Sequence, residues 1–164
     1  MGLDMYLSRK SYVQNWDHNK TKYAVSVLAN GLPVPTIKPN RVTYITEQVG
    51  YWRKSNAIHG WFVRNVQKGV DDCGIYEVEN DKLKELYDLV LHINNMEPGE
   101  ERDAYVMEHL PPTEGFFFGS YSVDEDYYRY EITATIDILK EVFEDIEATK
   151  GSPTCHFYEY GSSW

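Results

Sequence analysis

Cysteine is scarce in this chain: Cys73 and Cys155 are the only two among 164 residues, far apart and outside any CxxC spacing. A disulfide-built scaffold and a structural zinc knuckle are thereby excluded. No apolar run approaches the roughly 18 residues of a membrane span, and no basic-then-apolar segment opens the sequence. A soluble protein of the cytoplasm, with no membrane partner, is the expectation. P-loop, GxGxxG, HExxH and GxSxG patterns are all missing, so no phosphate cradle, dinucleotide fingerprint, zinc-protease helix or nucleophile elbow is written here. No cofactor is expected. One further absence is local: residues 48–70 contain no Asp or Glu, in a chain of net charge −10.

The material that is present suffices for one domain. With 42% hydrophobic and 15% aromatic residues, a chain of this size buries roughly 68–70% of its unfolded surface. Tyrosine dominates the aromatics, 14 against 6 Phe. Because a buried phenol needs a hydrogen-bond partner, tyrosine favours half-wet crevices and interfaces, a homo-oligomer interface among them. Charge is unevenly spread. Residues 1–70 carry ten Lys/Arg and three acids, net +7, whereas residues 71–164 carry six and 23, net −17. Such asymmetry marks an interaction surface or two halves that neutralise each other within one fold. The acidic balance argues against direct nucleic-acid binding.

Alternation of Leu3, Met5 and Leu7 with Asp4, Tyr6 and Ser8 predicts a half-buried strand. A second strand is predicted over 21–29, closed by the Asn30-Gly31 turn, and Pro33, Pro35 and Pro39 argue against regular structure over 32–40. A third strand over 41–52 completes an expected antiparallel meander. Ser55 caps a helix running to Gly69. A short strand over 74–79 precedes a helix capped by Asn80 or Asp81, with Leu83, Leu86, Val90 and Ile93 at helical spacing. A short helix falls within 97–112 and a strand over 115–120. The longest helix starts at Ser122 or Asp124 and carries the stripe Tyr128, Ile132, Leu139, Val142 and Ile146. A strand over 154–160 and a tail over 161–164 end the chain. The order predicts a single α+β domain over 1–164, a mostly antiparallel sheet with about three helices against it.

The segment GYWRKSNAIHGWF (50–62) holds the leading site candidates. At 100° per residue, Ile58, Phe62 and Val66 make the core stripe, placing Asn56 and His59 at its border, where Trp52 aligns with them. A helix start favours anions through its free N–H groups and dipole. Arg53 can grip phosphate or carboxylate in bidentate fashion, Lys54 adds charge, and Trp52 offers a stacking face. Asn56 and His59 can hydrogen-bond a base or sugar edge. Tyr127 and Tyr128, near the start of the last helix, can wall a ligand pocket. The expectation is a non-enzymatic binding protein for a small anionic, nucleotide-type ligand. Singly, each residue has a plainer role: Trp52 and Trp61 as core, His59 as a satisfied structural group, the cations as solvated flanks.

Two other chemistries compete. His59 with Asp71, Asp72 and Cys73 suggests a metal-dependent hydrolase, or Cys73 as a nucleophile, although the spacing is that of no known motif and Asp72 reads as a turn residue. The last helix carries Glu131, Asp137, Glu141, Glu144, Asp145 and Glu147, a run that suits an inhibitor of a host protein or a DNA mimic, or simply a solvated face. Asp124, Glu125 and Asp126 in its first turn are the ordinary complement of a helix dipole. The segments MGLDMYL, YWRKSNAIHGWFV, DDC and FFFGS resemble a family of small proteins found in bacteriophage and prophage genomes. That resemblance covers nearly the whole chain. It implies a viral accessory protein in the host cytoplasm, of the kind that blocks host defence by sequestering a nucleotide signal or binding a defence protein, and it assigns no site residue.

Overall fold

In the computed structural model, residues 2–20, 22, 24–114, 122–123 and 126–164 are described. Among these residues the strands and α-helices are β1 (Asp4–Tyr12), β2 (Leu28–Ala29), β3 (Leu32–Pro33), β4 (Tyr44–Arg53), α1 (Asn56–Asn65), β5 (Ile75–Val78), α2 (Asn80–Asn95), α3 (Glu100–His109), α4 (Asp126–Ala148) and β6 (His156–Ser163). Four strands form one antiparallel sheet in the order β4-β1-β6-β5, and four helices pack against it in a single α+β domain. β1 runs through the middle because its alternation buries Leu3, Met5 and Leu7 completely on the helix side. Phe62 of α1 stacks flat on Tyr160 of β6, with centroids 3.9 Å apart. The α2 stripe Leu83, Leu86, Val90 and Ile93 is fully buried, as its spacing predicts, and Tyr128, Ile132, Leu139 and Val142 of α4 join the same core. Ile146 is only partly buried at its edge.

Several expectations are corrected. The first three strands are not a meander, since β1 pairs with β4 on one side and β6 on the other. Among the described residues of the strand expected over 21–29, Leu28–Ala29 form a strand, paired across the Asn30-Gly31 turn with Leu32–Pro33. Positive φ at both turn residues (51° and 78°) is the two-residue hairpin geometry, and the pair lies outside the main sheet with Leu28 and Leu32 exposed. Pro39 begins a 3-10 turn rather than irregular chain. α1 ends at Asn65, not Gly69, because consecutive positive φ at Lys68 and Gly69 folds 66–70 back, Gly69 N–H bonding the Val63 carbonyl. Glu79, not Asn80 or Asp81, occupies the α2 N-cap position. The supposed tail belongs to β6, where Gly161 and Ser162 pair with Tyr6 and Met5. The strand expected over 115–120, and Asp124 and Glu125, lie outside the described residues.

The β1–β4 register slips by one residue at Leu7/Ser8, where Leu7 faces Gly50 and Ser8 faces Gln48. This bulge leaves Val49 extra in β4 and sets the phase of the strand's last four residues. Gly50 and Trp52 then point inward, while Tyr51 and Arg53 point out. A Cβ at Gly50 would stand 2.8 Å from the Ile138 methyl of α4, so α4 crosses β4 where β4 has no side chain. Gly50→Ala should therefore cost about 1–3 kcal/mol by overpacking, measured by denaturant unfolding. A neutral result would mean that α4 does not rest on this position.

Candidate functional site

The end of β4 turns sharply into α1. Lys54 adopts a left-handed conformation (φ 56°), its N–H bonded to the Leu3 carbonyl, and its own carbonyl accepts from Asn56 N–H. Ser55 occupies the N-cap position as expected, yet its side chain makes no capping bond and instead meets the Tyr127 hydroxyl. No acid lies in the first turn of α1. The Tyr127 hydroxyl donates to the Arg53 carbonyl, tying the start of α4 to this junction. Burial holds that phenol above its ordinary pKa, with nearby Glu131 adding to the effect.

Between these pieces lies a crevice of about 290 Å³ lined by Tyr51, Trp52, Arg53, Lys54, Ser55, Tyr127, Tyr130 and Ala134. Tyr127 and Tyr130 sit side by side with ring centroids 6.1 Å apart. Tyr51 leans on Tyr6 and donates its hydroxyl to Asp4, which raises the Tyr51 pKa. Arg53 and Lys54 are exposed at the rim. The structure thus brings together Trp52, Arg53, Lys54 and Tyr127. Tyr51 and Tyr130 were not singled out from sequence. Strand alternation places Tyr51 beside Arg53 on the outer face, and one helical turn separates Tyr127 from Tyr130, so both signals existed.

The other four candidates stand elsewhere. Asn56 and His59, expected at the border of a crevice, are fully buried. Asn56 Oδ1 accepts the Thr113 N–H at 3.1 Å, locking the 111–114 segment onto α1. Gly60, one turn later, leaves room for that segment, since a Cβ there would lie 2.2 Å from Thr113 Oγ1. His59 lies between Asp71, with Nε2 3.0 Å from Oδ1, and Tyr160, with Nδ1 2.8 Å from the hydroxyl. A carboxylate only accepts, so neutral His59 carries its proton on Nε2 and Nδ1 accepts from Tyr160. Burial lowers the His59 pKa, and Asp71 only partly offsets this. Tyr128 is buried with its hydroxyl donating to the Leu110 carbonyl at 3.0 Å. Asp72 is held by Gly74 N–H at 2.8 Å and by the Tyr76 hydroxyl at 3.0 Å, the side-chain turn that its position suggests.

Among the described residues no group of three or more His, Cys, Asp or Glu is placed to hold a metal ion. His59 meets Asp71, not Asp72, and Cys73 is exposed. On α4 the acid run is partly neutralised within the chain: Asp145 pairs with Arg9 at 3.1 Å, and Glu147 with Lys150. No helix among the described residues is long and apolar enough to cross a membrane.

His59→Ala should cost about 1–3 kcal/mol, because it removes the acceptor of the buried Tyr160 hydroxyl and leaves a cavity. The depressed His59 pKa also gives a sign. The unfolded chain binds the proton more readily, so stability is full above about pH 6.5 and falls as pH drops below it. His156, lowered by burial and by Arg9, acts in the same direction. Denaturant unfolding between pH 5 and 8 should show this slope, and His59→Gln should flatten it without abolishing it. An unchanged slope would mean that His59 titrates alike in both states. No family model, curated protein or solved structure matches the chain.

Proposed function

We propose that this protein is a non-enzymatic binding protein that captures a small anionic ligand carrying a planar ring, of nucleotide type, in the crevice at the β4–α1 junction. The observation that carries the reading is the convergence of Arg53, Lys54 and three tyrosines on one cavity at an acid-free helix start. Arg53 and Lys54 supply the charge for the anion, Arg53 in the planar fork that matches phosphate or carboxylate. Tyr127 and Tyr130 offer ring faces. Trp52 borders the crevice from the buried side, whereas Asn56 and His59 are buried away from it and offer a ligand no contact. At about 290 Å³ the cavity lies at the lower end of the ligand-pocket range, which favours one ring and one anionic group over a larger ligand. Sequestration of a nucleotide signal is the role that the resemblance to small phage proteins suggests for such a crevice.

Thermal-shift titration with a panel of mononucleotides, cyclic nucleotides and ADP-ribose tests the reading. A ligand that binds only the folded chain raises the melting temperature with concentration. At least one member should do so in the wild type. Arg53→Ala should weaken that binding at least tenfold, while the ligand-free protein stays within about 0.5 kcal/mol of wild type, because Arg53 is exposed. No shift with any member of the panel would remove the support for this reading.

A further inference from the structure

A second cavity, of about 370 Å³, lies between the end of α2, the turn into α3, and α4; its polar lining is Asn94, Asn95, Glu97, Arg102, Arg129 and Thr133. Arg102 is the unusual member. It is 6% exposed, yet its guanidinium donates no hydrogen bond to any described residue, and its ion pair with Asp103 is long, at 3.7 Å. Its other neighbour is the ring of Tyr128, 5.9 Å from the guanidinium carbon. Buried cations are normally matched by a hydrogen-bonded anion, because leaving water costs more than a ring face returns. Arg129, on α4, brings a second guanidinium to the same cavity, from an exposed position and with no ion pair to a described residue. The two Asn carboxamides add further donors, while the Thr133 hydroxyl donates to the Arg129 carbonyl at 3.0 Å. Glu97 is the single acid among the lining residues, in the half of the chain that carries net −17.

We propose that this cavity is a binding site for a small oxyanion, the phosphate or carboxylate group of a metabolite, gripped by Arg102 from its floor and Arg129 from its rim. The site is separate from the β4–α1 crevice and does not depend on it. Arg102 also borders a wider cavity of about 590 Å³ on its other side, but that one is lined by Glu97, Glu101 and Glu108, whose charges repel an anion. Charge therefore selects the α2–α4 side. Two planar forks converging on one oxyanion favour a group with several equivalent oxygens.

Titration with inorganic phosphate at constant ionic strength, followed by amide NMR shifts, tests the site; acetate in a parallel arm separates phosphate from carboxylate preference. Phosphate should give saturable shifts centred on residues 94–97, 102 and 129–133. Arg129→Ala, an exposed substitution that leaves the fold intact, should weaken binding at least tenfold. Arg102→Lys, which keeps the charge but not the fork, should weaken it similarly, and Arg53→Ala should leave it unchanged. Saturable shifts with acetate alone would keep the site and assign it to carboxylates. Non-saturable shifts with both anions, or binding that survives Arg129→Ala, would overturn the proposal. Binding lost in Arg53→Ala but kept in Arg129→Ala would place the anion in the other crevice and overturn it too.

Discussion

The hydrogen bond from the Trp52 indole N–H to Thr135 Oγ1, 2.9 Å long and fully buried, is the constraint on which the β4–α1 junction depends. It joins the last turn of the sheet edge to the middle of α4. Thr135 can serve because its own hydroxyl donates back to the Glu131 carbonyl at 2.6 Å, leaving its oxygen to accept. With Trp52 fixed inward, strand alternation sends Tyr51 and Arg53 outward. The left-handed turn at Lys54 then follows from the need to start α1 at once over the sheet, where Phe62 must reach Tyr160. The cationic rim and its tyrosine walls are the outer consequence of an inner packing requirement. That is why residues that look like one sequence cluster divide into two populations, some lining a crevice and some buried beneath it.

Charge follows the same division. The basic first half and acidic second half meet in the sheet, where β1 lies beside β6. Arg9 bridges Glu47 at 2.8 Å and Asp145 at 3.1 Å, and Lys10 pairs with Glu159 at 2.9 Å. Pairs of this partly exposed kind contribute little stability each, and two of them, Arg9–Asp145 and Lys10–Glu159, join the basic half to the acidic one. What survives uncancelled is more informative than the totals. Among the described residues, Arg53 and Lys54 stay outside ion pairs at one junction, and Arg129 does so at another, beside the long Arg102–Asp103 pair.

The α+β class was legible because α2 and α4 carry clean helical stripes and β1 alternates strictly. Pairing was not legible. Which strand lies beside β1 depends on contacts between Leu7 and Gly50 and between Leu7 and Tyr160, separated by long stretches of chain. The strand expected over 21–29 is short because its described residues before Leu28 pair with no strand. In the candidate site, Trp52, Arg53 and Lys54 were readable from local composition. His59 was misplaced because helical periodicity puts it at the border of a stripe, and only the partners brought by β6 and the 66–71 turn make that border interior. Arg102 carries no such local signal. On a helix beginning Glu-Glu-Arg-Asp it reads as a solvated charge, and nothing local shows that α4 covers it.

A double-mutant cycle on Trp52→Phe and Thr135→Val measures the central coupling most directly. Each change removes one side of the buried hydrogen bond; Thr135→Val keeps the shape, and the volume lost in Trp52→Phe is common to the single and double variants. Denaturant unfolding of the wild type, the two single variants and the double variant should give a coupling of about 0.5–1.5 kcal/mol, the net worth of one buried hydrogen bond. Additive losses, with no coupling beyond about 0.3 kcal/mol, would contradict the claim that this bond fixes the β4–α1 junction.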